Sequence, residues 1–154
     1  MADILNISTY RFVEIDDPHA LQHQLKARAN EFELKGTILI SREGINLFLA
    51  GLGARVHAFM AQLRTDPRFA GLQTKDSWSD QVPFRKMLVK VKSEIIRMNE
   101  PTIRPQRERA PAVSPTVVKR WLDAGKDDAG REVVILDTRN DFEIGHGGFH
   151  NAIN

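Results

Sequence analysis

Apolar positions along the first hundred residues change their spacing five times, and each change marks an element. Ile4 to Ile15 is rich in β-forming residues and predicts an opening strand. Asp16-Asp17-Pro18 supplies an N-cap followed by proline in the first turn of a helix. Leu21, Leu25, Ala29 and Phe32 then recur every three or four residues and give that helix one apolar stripe. Thr37 to Ile40 is a short apolar run of strand type. Glu43-Gly44 is a turn signal, and Ile45, Leu47 and Leu49 alternate after it. Gly51 and Gly53 punctuate before Val56, Phe59, Met60 and Leu63, which fit a second amphipathic helix ended by Asp66-Pro67. A polar stretch, Thr74 to Val82, leads through Pro83 to a long closing strand from Arg85 to Ile96.

The order is β-α-β-β-α-β, the split βαβ plan of a ferredoxin-like α+β sandwich. It predicts two helices covering one face of a four-stranded antiparallel sheet over residues 1–98. Residues 99–113 hold three prolines and three arginines with little that is apolar, and read as a linker. In residues 114–154, Ser114-Pro115 is a second cap and first-turn pair. Val117, Val118, Trp121 and Leu122 form the apolar face of a short helix, and Arg131 to Asp137 reads as a buried strand.

Composition narrows the function classes. With 154 residues, 42% of them hydrophobic, the chain can bury a core. Cysteine is absent, which excludes a disulfide scaffold. No run approaches the roughly 18 apolar residues of a membrane span, and the N-terminus lacks a secretory layout. These features predict a cytoplasmic protein without a membrane partner. Net charge is only +2, but it is uneven: residues 101–113 carry three Arg and one Glu, and residues 114–154 carry five Lys/Arg against seven Asp/Glu. The basic excess therefore lies before residue 114, which is compatible with a polyanionic partner.

Two blocks carry a family resemblance. The first comprises Ser8-Thr9-Tyr10-Arg11-Phe12, Gly36 to Asn46 with its Arg42-Glu43-Gly44-Ile45-Asn46 turn, and Lys90 to Ile96. The second is Asp137-Thr138-Arg139-Asn140-Asp141-Phe142-Glu143, which resembles the opening of a rhodanese domain. The combination resembles the rhodanese-related family of bacterial tRNA wobble-uridine 5-hydroxylases, in which an acylphosphatase-like domain precedes a rhodanese domain. Gly148 and Asn151 depart from the rhodanese pattern. The resemblance implies that the intact protein binds tRNA and hydroxylates its wobble uridine, using oxygen and a cysteine that these 154 residues lack. It implies an N-terminal fragment with no catalytic residue of its own and an incomplete, poorly ordered rhodanese remnant, whose partner is the rest of that domain. Two other classes stay open: a regulatory or small-ligand-binding ferredoxin-like module, and part of a rhodanese sulfurtransferase.

Candidate sites follow. Alternation places Lys86, Leu88, Lys90 and Lys92 on one strand face and Met87, Val89 and Val91 on the other. Ammonium groups on alternate residues step about 7 Å, which suits successive phosphates. Edge lysines also block strand-to-strand aggregation, so both readings stand. Arg42, at a hairpin tip, either reaches RNA or serves the turn. Acylphosphatase chemistry needs a phosphate-holding arginine after the first strand, where this chain has Glu14-Ile15-Asp16-Asp17-Pro18, so that activity is not expected. His19 and His23 are one helical turn apart without a third ligand, and no metal or cofactor is expected. Trp78 either stacks on a base or anchors a loop. Asp137, Arg139 and Glu143 are the rhodanese-motif residues.

Overall fold

The first strand forms because Leu5, Ile7 and Thr9 alternate with Ile4, Asn6, Ser8 and Tyr10, so that one set is buried and the other faces away from the core. This is β1 (Ile4–Phe12) of a computed structural model that describes residues 3–100, 102–105, 107 and 110–154. Helix α1 (Pro18–Glu31) starts where the Asp17 carboxylate accepts from the Ala20 amide at 2.9 Å, and it buries Leu21, Leu25 and Ala29. Strands β2 (Lys35–Ser41) and β3 (Gly44–Leu52) form a hairpin about Arg42-Glu43, with Ile40 opposite Ile45 and Thr37 opposite Phe48. Helix α2 (Gly53–Leu63) buries Val56, Phe59, Met60 and Leu63. Both helices share one core with Ile38, Ile40, Leu47 and Leu49, so they lie on the same side of the sheet.

The other side differs from the sequence expectation in two ways. The fourth strand is β4 (Lys75–Ser79), in the stretch expected to be irregular, and it pairs antiparallel with β1. The expected closing strand is β5 (Met87–Val91), shorter than predicted, and it pairs parallel with β2 at the opposite edge. The sheet is therefore five-stranded and mixed, in the order β4-β1-β3-β2-β5. The polar β4 is held by its partner rather than by burial. Asn6 Nδ2 donates to the Ser77 carbonyl at 3.3 Å and to Ser79 Oγ at 2.9 Å, and Thr9 Oγ1 donates to the Gln73 carbonyl at 2.5 Å. Trp78 lies on the helix side of β4 against Gly53, where a β-carbon would sit 2.7 Å from the indole ring. Its ring rests on Gly53 yet stays 55% exposed, so loop anchoring and base stacking both remain open to it.

The chain divides into two compact units, Met1–Arg109 and Ala110–Asn154. Pro101, Gln106, Glu108 and Arg109 of the predicted linker lie outside the described residues. In the second unit, Ser114 caps α3 (Pro115–Ala124) through a 3.4 Å bond from the Val117 amide, and Gly125 ends it at φ 69°. The strand expected over Arg131–Asp137 is reduced to isolated bridges, Lys126 with Glu132 and Leu136 with Ile153. A parallel-type strand needs neighbours on both sides, and these are not present in the unit. No residue from Ala110 to Asn154 is buried. Asn140 and Glu143 form a reciprocal capping box at α4 (Asp141–Ile144).

Candidate nucleic-acid interface

The face of the sheet opposite the helices is built by register. One row across it reads Lys75, Ser8, Phe48, Thr37 and Leu88. A second reads Tyr10, Asn46, Leu39 and Lys90, and a third reads Ser77, Asn6, Ala50 and Lys35. No strand residue in these rows is acidic. Lys35, Lys75 and Lys90 are exposed at the margins, with Phe48 43% and Tyr10 51% exposed on the adjacent inner strands β3 and β1. Two large aromatics on the polar side of a sheet are not needed by the core, which is complete on the helix side.

The predicted lysine alternation places side chains as expected. Val89 is in the core and Met87 packs against it, while Lys86, Lys90 and Lys92 are exposed. Among the described residues no carboxylate lies within ion-pair distance of these three lysines. The Lys92 amide donates to the Ile40 carbonyl at 2.8 Å and so prolongs the β2–β5 pairing.

Arg42 is at the same end of the sheet as Lys92 but in different surroundings. It lines a recess with Glu14, Asp16, Glu43, Glu94 and Glu100. The turn it occupies is structural. The Arg42 and Glu43 carbonyls each accept at 3.0 Å, from the Ile15 and Val13 amides, and Glu43 Oε1 accepts from the Ile95 amide at 2.6 Å. The same geometry bears on phosphate chemistry. Two amides of the loop after β1 are already bonded to the hairpin, and Glu14 and Asp16 project beside it. A phosphate there meets carboxylates rather than free donors. Acetyl phosphate incubated with the protein is accordingly expected to release phosphate at the buffer rate. Release that rises in proportion to protein concentration would show that the loop rearranges to bind phosphate.

In the second unit Asp137 and Arg139, two of the three residues on which the rhodanese resemblance rests, come together, while Glu143 caps α4 with Asn140. Arg139 clasps Asp137 through Nε at 3.0 Å and Nη2 at 2.7 Å, and Nη2 also donates to the Gly147 carbonyl at 2.9 Å. The guanidinium holds the Asp137 carboxyl below its usual range. The Asp137 amide donates to Ile153, and Asn154 Nδ2 donates to the Asp137 and Arg139 carbonyls at 3.1 Å. These bonds tie Asp137 and Arg139 to Gly147, Ile153 and Asn154 of the segment that follows. His19 and His23 are exposed on α1.

Sequence reasoning singled out neither Phe48 nor Tyr10 as a site residue, nor Lys35 and Lys75. The signal for Phe48 was present: it is an apolar residue in the polar phase of the alternation Ile45, Leu47, Leu49. Its partner across the sheet becomes visible only with the register.

The sequence model of the UPF0176 acylphosphatase-like domain matches residues 4–95. The chain belongs to this family. Among similar proteins, one named tRNA uridine(34) hydroxylase from Delftia acidovorans is 61% identical over 153 residues, covering 99% of this chain and 58% of that protein. Another of the same name from Variovorax paradoxus is 58% identical, with the same coverage. The chain thus spans under two thirds of the length of these curated relatives. A solved structure described as BlrP1 BLUF superposes with a TM-score of 0.50 at 18% identity, over 85% of this chain and 95% of that one. That is a likeness of fold alone. The UPF0176 acylphosphatase-like domain covers the five-stranded sheet and both of its helices, as the α+β ferredoxin-like reading requires. No helix among the described residues is long and apolar enough to cross a membrane.

Proposed function

We propose that this chain is the front portion of a tRNA wobble-uridine hydroxylase, and that residues 1–98 hold RNA through the open face and lysine edge of the sheet. Residues 99–113 act as linker, and residues 114–154 are the opening of a rhodanese domain. The hydroxylation itself belongs to a cysteine that these residues do not contain. The observation that carries the reading is the charge pattern: lysines at both margins of the face and along β5, with no acid in the rows between. The relatives named as tRNA uridine(34) hydroxylases support RNA as the polyanion. The absence of any buried residue from Ala110 to Asn154 supports a second unit that depends on further partners for its core.

Phosphate contacts release counterions, so binding should weaken steeply with salt. Replacing Lys90 and Lys92 by alanine should flatten the log-log salt slope for tRNA by about one unit per lost contact. It should weaken different RNA sequences about equally, because phosphates carry no base information. Folding should stay within roughly 0.5 kcal/mol, since both side chains are exposed. An unchanged affinity and slope would leave these lysines as edge protection only.

A further inference from the structure

The lysines explain attraction to a polyanion, but they do not explain the two aromatic rings between them. Phe48 and Tyr10 lie on adjacent strands, Phe48 directly opposite Ser8 and Tyr10 directly opposite Asn46, which makes the rings diagonal neighbours across the pair. Such neighbours are about 7–8 Å apart along the sheet. Tyr10 packs edge-on against Phe12 at 5.7 Å between centroids, but it stays 51% exposed and Phe48 43%, more than a core role requires.

A recess opens at Phe48. The chain leaves β4 at Ser79 on one edge and enters β5 at Met87 on the other, so residues 80–86 must cross the open face. Gln81, Pro83 and Phe84 line the resulting recess of about 460 Å³ together with Asn6, Ser8, Phe48, Lys75 and Ser77. Its volume lies within the roughly 300–1,000 Å³ of small-ligand sites. Phe48, Trp78 and Phe84 bring three aromatic rings to its lining, beside a row of amide and hydroxyl groups and one ammonium, while Tyr10 lies outside it. Asn6 Nδ2 is taken up by the Ser77 carbonyl and Ser79 Oγ, which fixes the β4 side of the recess. A hydrophobic ligand would leave Lys75 and the polar row unused. A duplex would offer phosphates but no base face to the rings. An unpaired nucleotide uses all three: the base stacks on a ring, its edge meets Ser8 or Ser77, and its phosphate meets lysine.

We propose that this face is a base-stacking platform for single-stranded RNA, with Phe48 as the principal ring, Tyr10 as the second, and Lys75 and Lys90 holding the backbone on either side. The proposal rests on the RNA-binding reading above and adds to it the form of RNA: unpaired nucleotides rather than duplex. Stacking of this kind is tolerant of sequence, because every base has a π-face.

The test uses the 154-residue chain with a fluorescent oligouridine, a duplex RNA of equal length, and a salt series. Wild type should bind oligouridine more tightly than duplex. Phe48→Leu should weaken oligouridine about 5- to 100-fold while leaving the salt slope unchanged. Lys75→Ala should flatten the slope and weaken both RNAs. In parallel, the ring protons of Phe48 in the unaltered protein should shift on addition of oligouridine, a readout that does not depend on any variant folding. Salt-dependent binding with no preference for oligouridine, no effect of Phe48→Leu and no ring shift would overturn the stacking platform and leave the lysine reading standing. Failure of the unaltered protein to bind either RNA at low salt would overturn both.

Discussion

Gly36→Ala is expected to remove at least about 3 kcal/mol of stability from the first unit, and a domain of this kind has roughly 5–15 kcal/mol in all. Gly36 sits in β2 at φ 138°, a conformation that side chains rarely adopt. A β-carbon there would lie 2.0 Å from the Phe48 carbonyl oxygen and 2.9 Å from Leu49 Cα. Both are backbone atoms of β3, which is paired on both sides and cannot retreat without breaking a ladder. On the other flank, the Gly36 amide donates to the Lys86 carbonyl at 3.1 Å, so β2 cannot move that way freely either. Urea unfolding followed by far-ultraviolet circular dichroism measures the loss. Gly51→Ala is the control: its β-carbon meets the Leu34 side-chain tip at 2.7 Å, without a strained φ, and a side chain can rotate away. If Gly36→Ala is no less stable than Gly51→Ala, the close strand approach at Gly36 is not a rigid feature of the sheet.

Phe59→Ala is expected to cost about 3–5 kcal/mol, the usual range for truncating a fully buried ring. Phe59 is 1% exposed on α2, and its ring meets Phe32 edge-on at 6.4 Å between centroids. Phe32 ends α1, so this contact joins the two helices above the sheet. Truncation leaves a void between elements that are each fixed to the sheet, so the space cannot close cheaply. Thermal unfolding gives the comparison with Phe48→Leu, whose ring faces the other way and which should cost under about 1 kcal/mol. Similar losses for the two would mean that Phe48 is packed like a core residue, contrary to its exposure.

Much of this arrangement was legible in residue spacing. Leu21, Leu25 and Ala29, and Val56, Phe59, Met60 and Leu63, repeat with helical period because each helix buries one stripe, and all seven are buried. Ile45, Leu47 and Leu49 alternate because β3 buries one face. β4 was not legible, since Lys75-Asp76-Ser77-Trp78-Ser79 has neither apolar alternation nor β-branched residues. Its hydrogen bonds come from β1 and its position from Asn6, Thr9 and Gly53, which are distant in sequence. The parallel pairing of β5 was hidden for the same reason: alternation reports which face is buried, not which neighbour a strand chooses. The candidate site divides along this line. The β5 lysines are legible because they lie on one strand. The pairing of Phe48 with Tyr10, and of Lys75 with the margin of the same face, requires the register between strands.

The crossing from Ser79 to Met87 also bears on how the domain acquires its structure. The β2–β3 hairpin joins residues close in sequence and can close early. Both outer pairings, Ile4 with Ser79 and Gly36 with Met87, join residues far apart. Sheets dominated by such non-local pairings fold slowly, because loop closure must come before their contacts form. During synthesis, β1 and β2 therefore wait as bare edges until the segment beyond residue 74 has left the ribosome. The two lysine-bearing strands that arrive last close both flanks, and until then the nascent domain is most exposed to mispairing with another copy.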